Sequence, residues 1–298
     1  GGNPANSEDL TSLIAGDYTC IITDANGCQL VHTKTVTEPA ALAATSVVTN
    51  VDCNGNITGA INITVTGGTP NYSYSWVASN GGSLGGNPAN SEDLTSLIAG
   101  DYTCTITDDN GCVMIEDMFV DEPLPITIPI ITTDISCNGG SNGIATATPS
   151  GGTGPYTFLW SDVDSTLTPT ITGLSTASYT VTVTDVIGCF SVSSTITINE
   201  PSLITATGNI SHVSCYNGNN GAISLSVSGG NAPYTYLWSN NQTTENATSL
   251  NSGTYSVVIT DLTGCTPVFS YAVDEPQFPL SASLVISDVL CFGGSDGY

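Results

Sequence analysis

Ten cysteines are the residues of this 298-residue chain best placed to do chemistry, and their spacing is regular. Eight fall into two kinds. One is followed at once, or after a single residue, by Asn-Gly or a Gly variant (Cys53, Cys137, Cys215, Cys291), and the other follows a glycine (Cys28, Cys112, Cys189, Cys265). Thiols in such a series can close disulfides or ligate a metal. Zinc needs close pairs such as Cys-x-x-Cys, whereas each kind here recurs only every 76 to 84 residues. Cys20 and Cys104 fall outside the series, where equivalent strands carry Val181 and Val257, and read as buried, inert thiols filling a valine-sized site.

Other chemistries have little to build on. The only histidines are His32 and His212 and the only side-chain amine is Lys34, so no nucleophile and base stand together and the chain reads as no enzyme. With 26 acidic residues, one Lys, no Arg and a net charge of −25, it cannot neutralise phosphates, which excludes nucleic acid as a partner. So many carboxylates make calcium the one cofactor worth weighing. The recurring turn and linker acids Asp108, Glu122, Asp185, Glu200, Asp261 and Glu275 are its candidate oxygen ligands. No dense Asp-x-Asp-x-Asp-Gly loop exists, and a structural turn beside a solvated linker is the plainer reading of the same residues.

The elements that must position these groups form a tandem repeat. Glu-Pro recurs at Glu38, Glu122, Glu200 and Glu275. It divides the chain into a partial module over 1–39, full modules over 40–123, 124–201 and 202–276, and a partial module holding a first strand over 277–298. Within each full module come a strand, the Cys-Asn-Gly-type loop, a strand closing in Gly-Gly, and an aromatic strand ending in Trp76, Trp160 or Trp238. A Tyr-led strand (Tyr102, Tyr179, Tyr255), an Asp-x-x-Gly-Cys turn and a last strand follow. Large rings at period two share one face, so the Trp and Tyr residues read as core. The Leu-x-x-Gly-x-Tyr stretches at 13–18, 97–102 and 250–255 have the form of a tyrosine corner; Leu174–Tyr179 lacks the glycine, and a looser corner is expected there. The fold class that follows is all-β: immunoglobulin-like sandwiches arranged as beads in an extended array. Residues 1–28 repeat at 85–112 with two differences, as in a recent duplication, and both ends fall inside a module, so a longer chain is expected.

Pairing of Cys53, Cys112, Cys137, Cys189, Cys215 and Cys265 stays open. The first expectation is bridges within modules (Cys53 to Cys112, Cys137 to Cys189, Cys215 to Cys265), each worth roughly 4 kcal/mol by chain entropy. A seven-strand sandwich puts the two loops at opposite ends, so staples across a junction (Cys53 to Cys189, Cys137 to Cys265) remain, as does pairing of sequence neighbours. Asp164-Ser165-Thr166 has the form of a short acceptor for bacterial O-glycosylation at Ser165. Disulfides imply an oxidising, extracellular setting. No apolar run is long enough to span a membrane.

The ordered set Cys137-Asn-Gly-Gly-Ser-Asn-Gly143, Ser150-Gly-Gly-Thr-Gly-Pro-Tyr156, Trp160, Thr184-Asp-x-x-Gly-Cys189 and Glu200-Pro201 resembles the SprB-type repeats of giant cell-surface adhesins of gliding bacteria. The resemblance implies a very long protein exported by the type IX system, displayed on the cell surface and carried by the gliding machinery. Its surface or polysaccharide ligand would be held by regions outside these residues. It supplies no catalytic or ligand-binding residue. Cys20, Cys104 and the insertion over 81–90 depart from the pattern. The competing classes are a glycan-binding module built on the aromatic strands and a self-assembling extracellular filament.

Overall fold

Alternating Thr and apolar residues favour half-buried strands. The computed structural model describes residues 9–287 and 292–295, over which there are 22 β-strands and no helix. Cys291, one of the series above, lies outside the described residues. Burial follows the alternation. In β7 (Gly100–Thr107), Tyr102, Cys104 and Ile106 are inward and fully buried while the residues between them are half-exposed.

The chain divides into two compact units. One holds the residues up to Ile126 with Ser150–Tyr156 and Thr184–Phe190; the other holds Thr127–Pro149, Thr157–Val183 and the residues from Ser191 on. In the first unit, β1 (Gly16–Thr23) and β2 (Gln29–Val36) form a hairpin. Two three-stranded sheets follow: β3 (Ala43–Thr49), β4 (Gly59–Thr66) and β6 (Leu94–Leu97), against β5 (Ser73–Ser79), β7 and β8 (Val113–Val120). Their shared core is Val51, Ile61, Ile63, Trp76, Leu94, Leu97, Tyr102, Cys104, Ile106, Met118 and Val120.

The second unit repeats the pattern. β9 (Ile130–Thr133), β10 (Gly143–Ala147) and β12 (Thr170–Leu174) form one sheet, and β11 (Thr157–Trp160), β14 (Val181–Thr184) and β15 (Phe190–Val192) another. β13 (Ala177–Tyr179) pairs with β16 (Ile196–Ile198). The next repeat has β17 (Thr205–Ser211), β18 (Gly221–Ser228) and β20 (Ala247–Leu250) facing β19 (Thr235–Trp238), β21 (Gly253–Thr260) and β22 (Val268–Val273). The chain is therefore an array of tandem immunoglobulin-like sandwiches. No strand occurs over 277–287, where a first strand was expected and where no neighbouring strand pairs with the segment.

All four tyrosine corners close on the residue four positions upstream: Tyr18 on Ile14 (2.8 Å), Tyr102 on Ile98 (2.8 Å), Tyr179 on Ser175 (3.1 Å) and Tyr255 on Asn251 (3.2 Å). The corner without glycine is thus no longer than that of Tyr255. What differs is the strand. Gly100 and Gly253 sit at φ of about 150°, which alanine disfavours, and where Ala177 replaces them the strand is split into β13 and β14. The insertion after Trp76 is a folded strap, with Ser83 N–H donating to the Tyr102 hydroxyl, which lies 3.1 Å from the Ser83 carbonyl, and Asn87 bonded to Leu84 and Thr95.

Candidate functional site

The register fixes which loops share an end of the sandwich. β4 runs antiparallel to β3, and Tyr72 at the start of β5 bonds back to Gly67 at the end of β4 (2.6 Å). Ser73 pairs with Thr107, so the Asp108–Cys112 turn lies at this same end. Thr69 N–H confirms it by donating to Asp108 Oδ2 (2.9 Å). Cys53 therefore stands a whole strand away from Cys112, about 25 Å for the eight residues of β4, against the roughly 7 Å within which bonded cysteines hold their Cα atoms. That distance overturns the within-module bridges.

β8 carries the chain back to the Cys53 end, where Val51 N–H donates to the Asp121 carbonyl. The next repeat begins there. Its own Gly-Gly loop and Asp185–Cys189 turn lie at its entry end, with Gly152 N–H on the Leu124 carbonyl (2.7 Å) and Thr153 N–H on Asp185 Oδ2 (2.9 Å). Cys53 is bonded to Cys189 (Cα–Cα 5.5 Å) and Cys137 to Cys265 (5.6 Å), the first-loop cysteine of one repeat joined to the last-turn cysteine of the next. Cys112 and Cys215 carry exposed free thiols.

The linker acid belongs to the same joint. Glu122 Oε2 accepts the Gly55 N–H (2.6 Å) while Asn54 Nδ2 donates to the Pro123 carbonyl (3.2 Å), and Glu200 does the same for Gly139 (2.6 Å), with Asn138 on Pro201 (3.0 Å). Glu275 accepts from Asn217 (2.5 Å). Glu122, Glu200 and Glu275 are thus each held against the Cys-Asn-Gly-type loop of the repeat they close. Such charge-assisted bonds contribute about 1.5–3 kcal/mol when buried and less here, where the glutamates are half-exposed. At the second joint the Thr263 hydroxyl lies 2.9 Å from Asp261 Oδ1 and 3.0 Å from the Ser136 carbonyl of the preceding repeat.

The turn aspartates are buried and saturated with donors. The backbone N–H of Thr69, then that of Cys112, hold the Asp108 carboxyl below the usual range against burial. Burial pushes Asp185 and Asp261 up, but N–H groups of Thr153, Cys189, Gly188 and Ile187 outweigh it for the first, and those of Asn231, Cys265 and Thr263 for the second. These oxygens are turned inward onto backbone, which is the structural-turn reading of Asp108, Asp185 and Asp261 rather than the calcium one. No group of three or more His, Cys, Asp or Glu residues able to hold a metal occurs among the described residues.

The remaining candidates fall as follows. Trp76, Trp160 and Trp238 are 1–3% exposed, and their indole N–H groups donate to the carbonyls of Ser91, Thr168 and Thr244, so no ring face is offered for stacking on a sugar. Tyr102 and Tyr179 are buried and Tyr255 is half-buried against its core. Cys104 is buried, and burial pushes its thiol up to about 11. Cys20 is exposed instead, because the β1–β2 hairpin has no opposing sheet among the described residues. Ser165 sits at φ 51° in an exposed turn whose Thr166 bonds back to Asp162. Spacing alone hid the Glu122–Gly55 pairing, although Glu-Pro and Asn-Gly recur in step and that co-recurrence was the available signal.

The family model for the SprB repeat matches at residues 45–81, 130–165 and 207–243. The chain is similar to the SprB repeat over these three segments. Each match runs from the first strand through the Cys-Asn-Gly-type loop and Gly-Gly to just past the Trp. The tyrosine corner and the Asp-x-x-Gly-Cys turn lie outside the matched part of every repeat. Among curated proteins nothing matches the chain. Among solved structures it is similar to a tetra-tandem repeat from the extending region of a large adhesion protein (15% identity, 89% of this chain and 84% of that one, TM-score 0.30). It is also similar to the N-terminal eight immunoglobulin domains of Down syndrome cell adhesion molecule (10%, 88% and 51%, 0.28) and to extracellular domains 3–5 of Drosophila OTK (12%, 80% and 92%, 0.28). The chain spans about half the length of the immunoglobulin-domain array. No helix among the described residues is long and apolar enough to cross a membrane.

Proposed function

We propose that these SprB repeats are a stretch of the spacer of a large secreted adhesin, holding an adhesive region away from the cell and transmitting load to it. The observation that carries this reading is the joint. A disulfide, a Glu clasp and a proline meet where one repeat hands over to the next, which is where a spacer needs stiffness and a binding module has no need of it. The setting is extracellular, as persistent disulfides require. The partners are neighbouring repeats of the same chain, the surface or polysaccharide ligand bound elsewhere on it, and the gliding and type IX export machinery that the SprB resemblance implies. The buried tryptophans speak against a glycan site on the aromatic strands.

Like charges reinforce extension, since 26 carboxylates repel at separations near the roughly 8 Å screening length of physiological salt. Small-angle scattering on arrays of increasing repeat number tests the reading. The maximum dimension should grow by about 35–40 Å per added repeat, the length of seven- or eight-residue strands plus loops, and shorten in reductant. A dimension independent of repeat number would sink the spacer, and scattering that rises with concentration would favour the filament instead.

A further inference from the structure

Both closed joints obey one rule. The cysteine of a first loop, Cys53 or Cys137, bonds the last-turn cysteine of the following repeat, at separations of 136 and 128 residues. Counted forward from Cys215 or back from Cys112, the same separation falls outside residues 1–298. We propose that Cys215 and Cys112 are open halves of the same staple. Cys215 would receive the Asp-x-x-Gly-Cys turn of a following repeat, and Cys112 the Cys-Asn-Gly-type loop of a preceding one, so that the cross-link runs from repeat to repeat along the array. This rests on the observed joints and the tandem order, not on the adhesin role.

The internal equivalents are what point to this partner: Cys53 and Cys137 hold in their loops what Cys215 lacks in its own. That loop is already in the bonded form. Gly218 N–H donates to the Cys215 carbonyl at 2.9 Å, as Gly140 does to Cys137, and Glu275 grips Asn217 at 2.5 Å as Glu200 grips Gly139 at 2.6 Å. Cys112 is set the same way on the other side, its N–H 2.8 Å from Asp108 Oδ1 against 2.9 Å for Cys189 on Asp185. Both thiols are exposed. The rule also keeps Cys112 and Cys215 from each other, because a first-loop cysteine takes a turn from the repeat after it and Cys112 belongs to an earlier one. Closure is a two-electron oxidation. A thiolate attacks the mixed disulfide of the other cysteine with glutathione, and the two protein thiols and one oxidised glutathione become one protein disulfide and two reduced glutathiones.

The test extends the intact chain by one round, with residues 1–276 followed by a second copy of 124–298 that carries Cys215→Ser, folded in a glutathione redox buffer. Free thiols are then alkylated and the protein is digested with pepsin, since a single Lys gives trypsin almost nothing to cut. Mass spectrometry should find Cys215 of the first copy, alkylated in the 298-residue chain, joined to Cys189 of the added copy. Cys189→Ser in the added copy should return it to the alkylated pool. Cys215 still alkylated, or joined to Cys265 or Cys112, while Cys53–Cys189 is present, overturns the proposal and leaves the observed joints standing. Absence of Cys53–Cys189 itself overturns both.

Discussion

Replacing Cys53 and Cys189 together by serine removes one staple and leaves Cys137–Cys265 in place. The bond closes a loop of 136 residues, which by chain entropy is worth about 5 kcal/mol, the upper end of what disulfides deliver. Each joined repeat buries its own core, but the staple binds the two at a joint whose linker the Glu122 clasp fixes, so the loss should fall on a cooperative unit of about 160 residues. For a unit of that size 1 kcal/mol corresponds to about 2–4 °C, so the Tm of this transition should fall by about 10–20 °C. Differential scanning calorimetry of the wild-type and double-serine chains reads it directly, and the transition of the repeat over 202–276, which carries neither replaced cysteine, serves as the internal reference. A fall of less than about 3 °C, the equivalent of 1 kcal/mol, would refute the reasoning. The two repeats would then unfold independently, with the disulfide only tethering them.

The buried carboxylates give a pH signature. Asp108, Asp185 and Asp261 are held below their ordinary value in the fold, so their contribution is present above the unfolded pKa of about 3.9 and lost as pH falls through the lower folded values. The Tm should drop below about pH 4, less steeply in Asp185→Asn, and an unchanged slope in that variant would contradict the assignment. At Gly67 (φ +70°) an added Cβ would stand 2.0 Å from the Ala41 carbonyl, so Gly67→Ala should cost roughly 3 kcal/mol or more in urea unfolding; a change within 0.5 kcal/mol would mean the backbone simply yields. Cys104, with its thiol up near 11, should resist iodoacetamide at pH 8 until the protein unfolds, while Cys112 reacts at once; equal rates would place Cys104 at the surface. Tryptophan emission should be blue-shifted, insensitive to acrylamide and unmoved by sugars, and a sugar-dependent shift would restore the glycan-binding reading.

Much of the fold was legible because each signpost has a single local cause. Tyr102 and Tyr255 announce their corners through the spacing to Leu97 and Leu250, Asp185 announces its turn through Gly188, and Trp160 announces a core by recurring once per repeat. The cysteine partners were not legible, because pairing depends on which ends of the sandwich the loops occupy. That depends in turn on the chain crossing between β5 and β6 without a strand to itself, a feature that Gly81 to Asn90 display only as an insertion. The exposure of Cys20 was hidden for a different reason. Its sequence is that of Cys104, and what differs is the sheet that faces it.

The overlap of the two staples has a mechanical consequence. Between Cys53 and Cys265 the unbroken backbone runs through 212 residues, but a covalent path that crosses at Cys53–Cys189, returns along the chain to Cys137 and crosses again to Cys265 needs only 52. At about 3.5 Å per extended residue, rupture of every strand in between would release about 180 Å of slack rather than about 740 Å. Pulled hard, the array gives out a short, fixed length and then stops. Its tether is shortened covalently, before any strand is asked to resist.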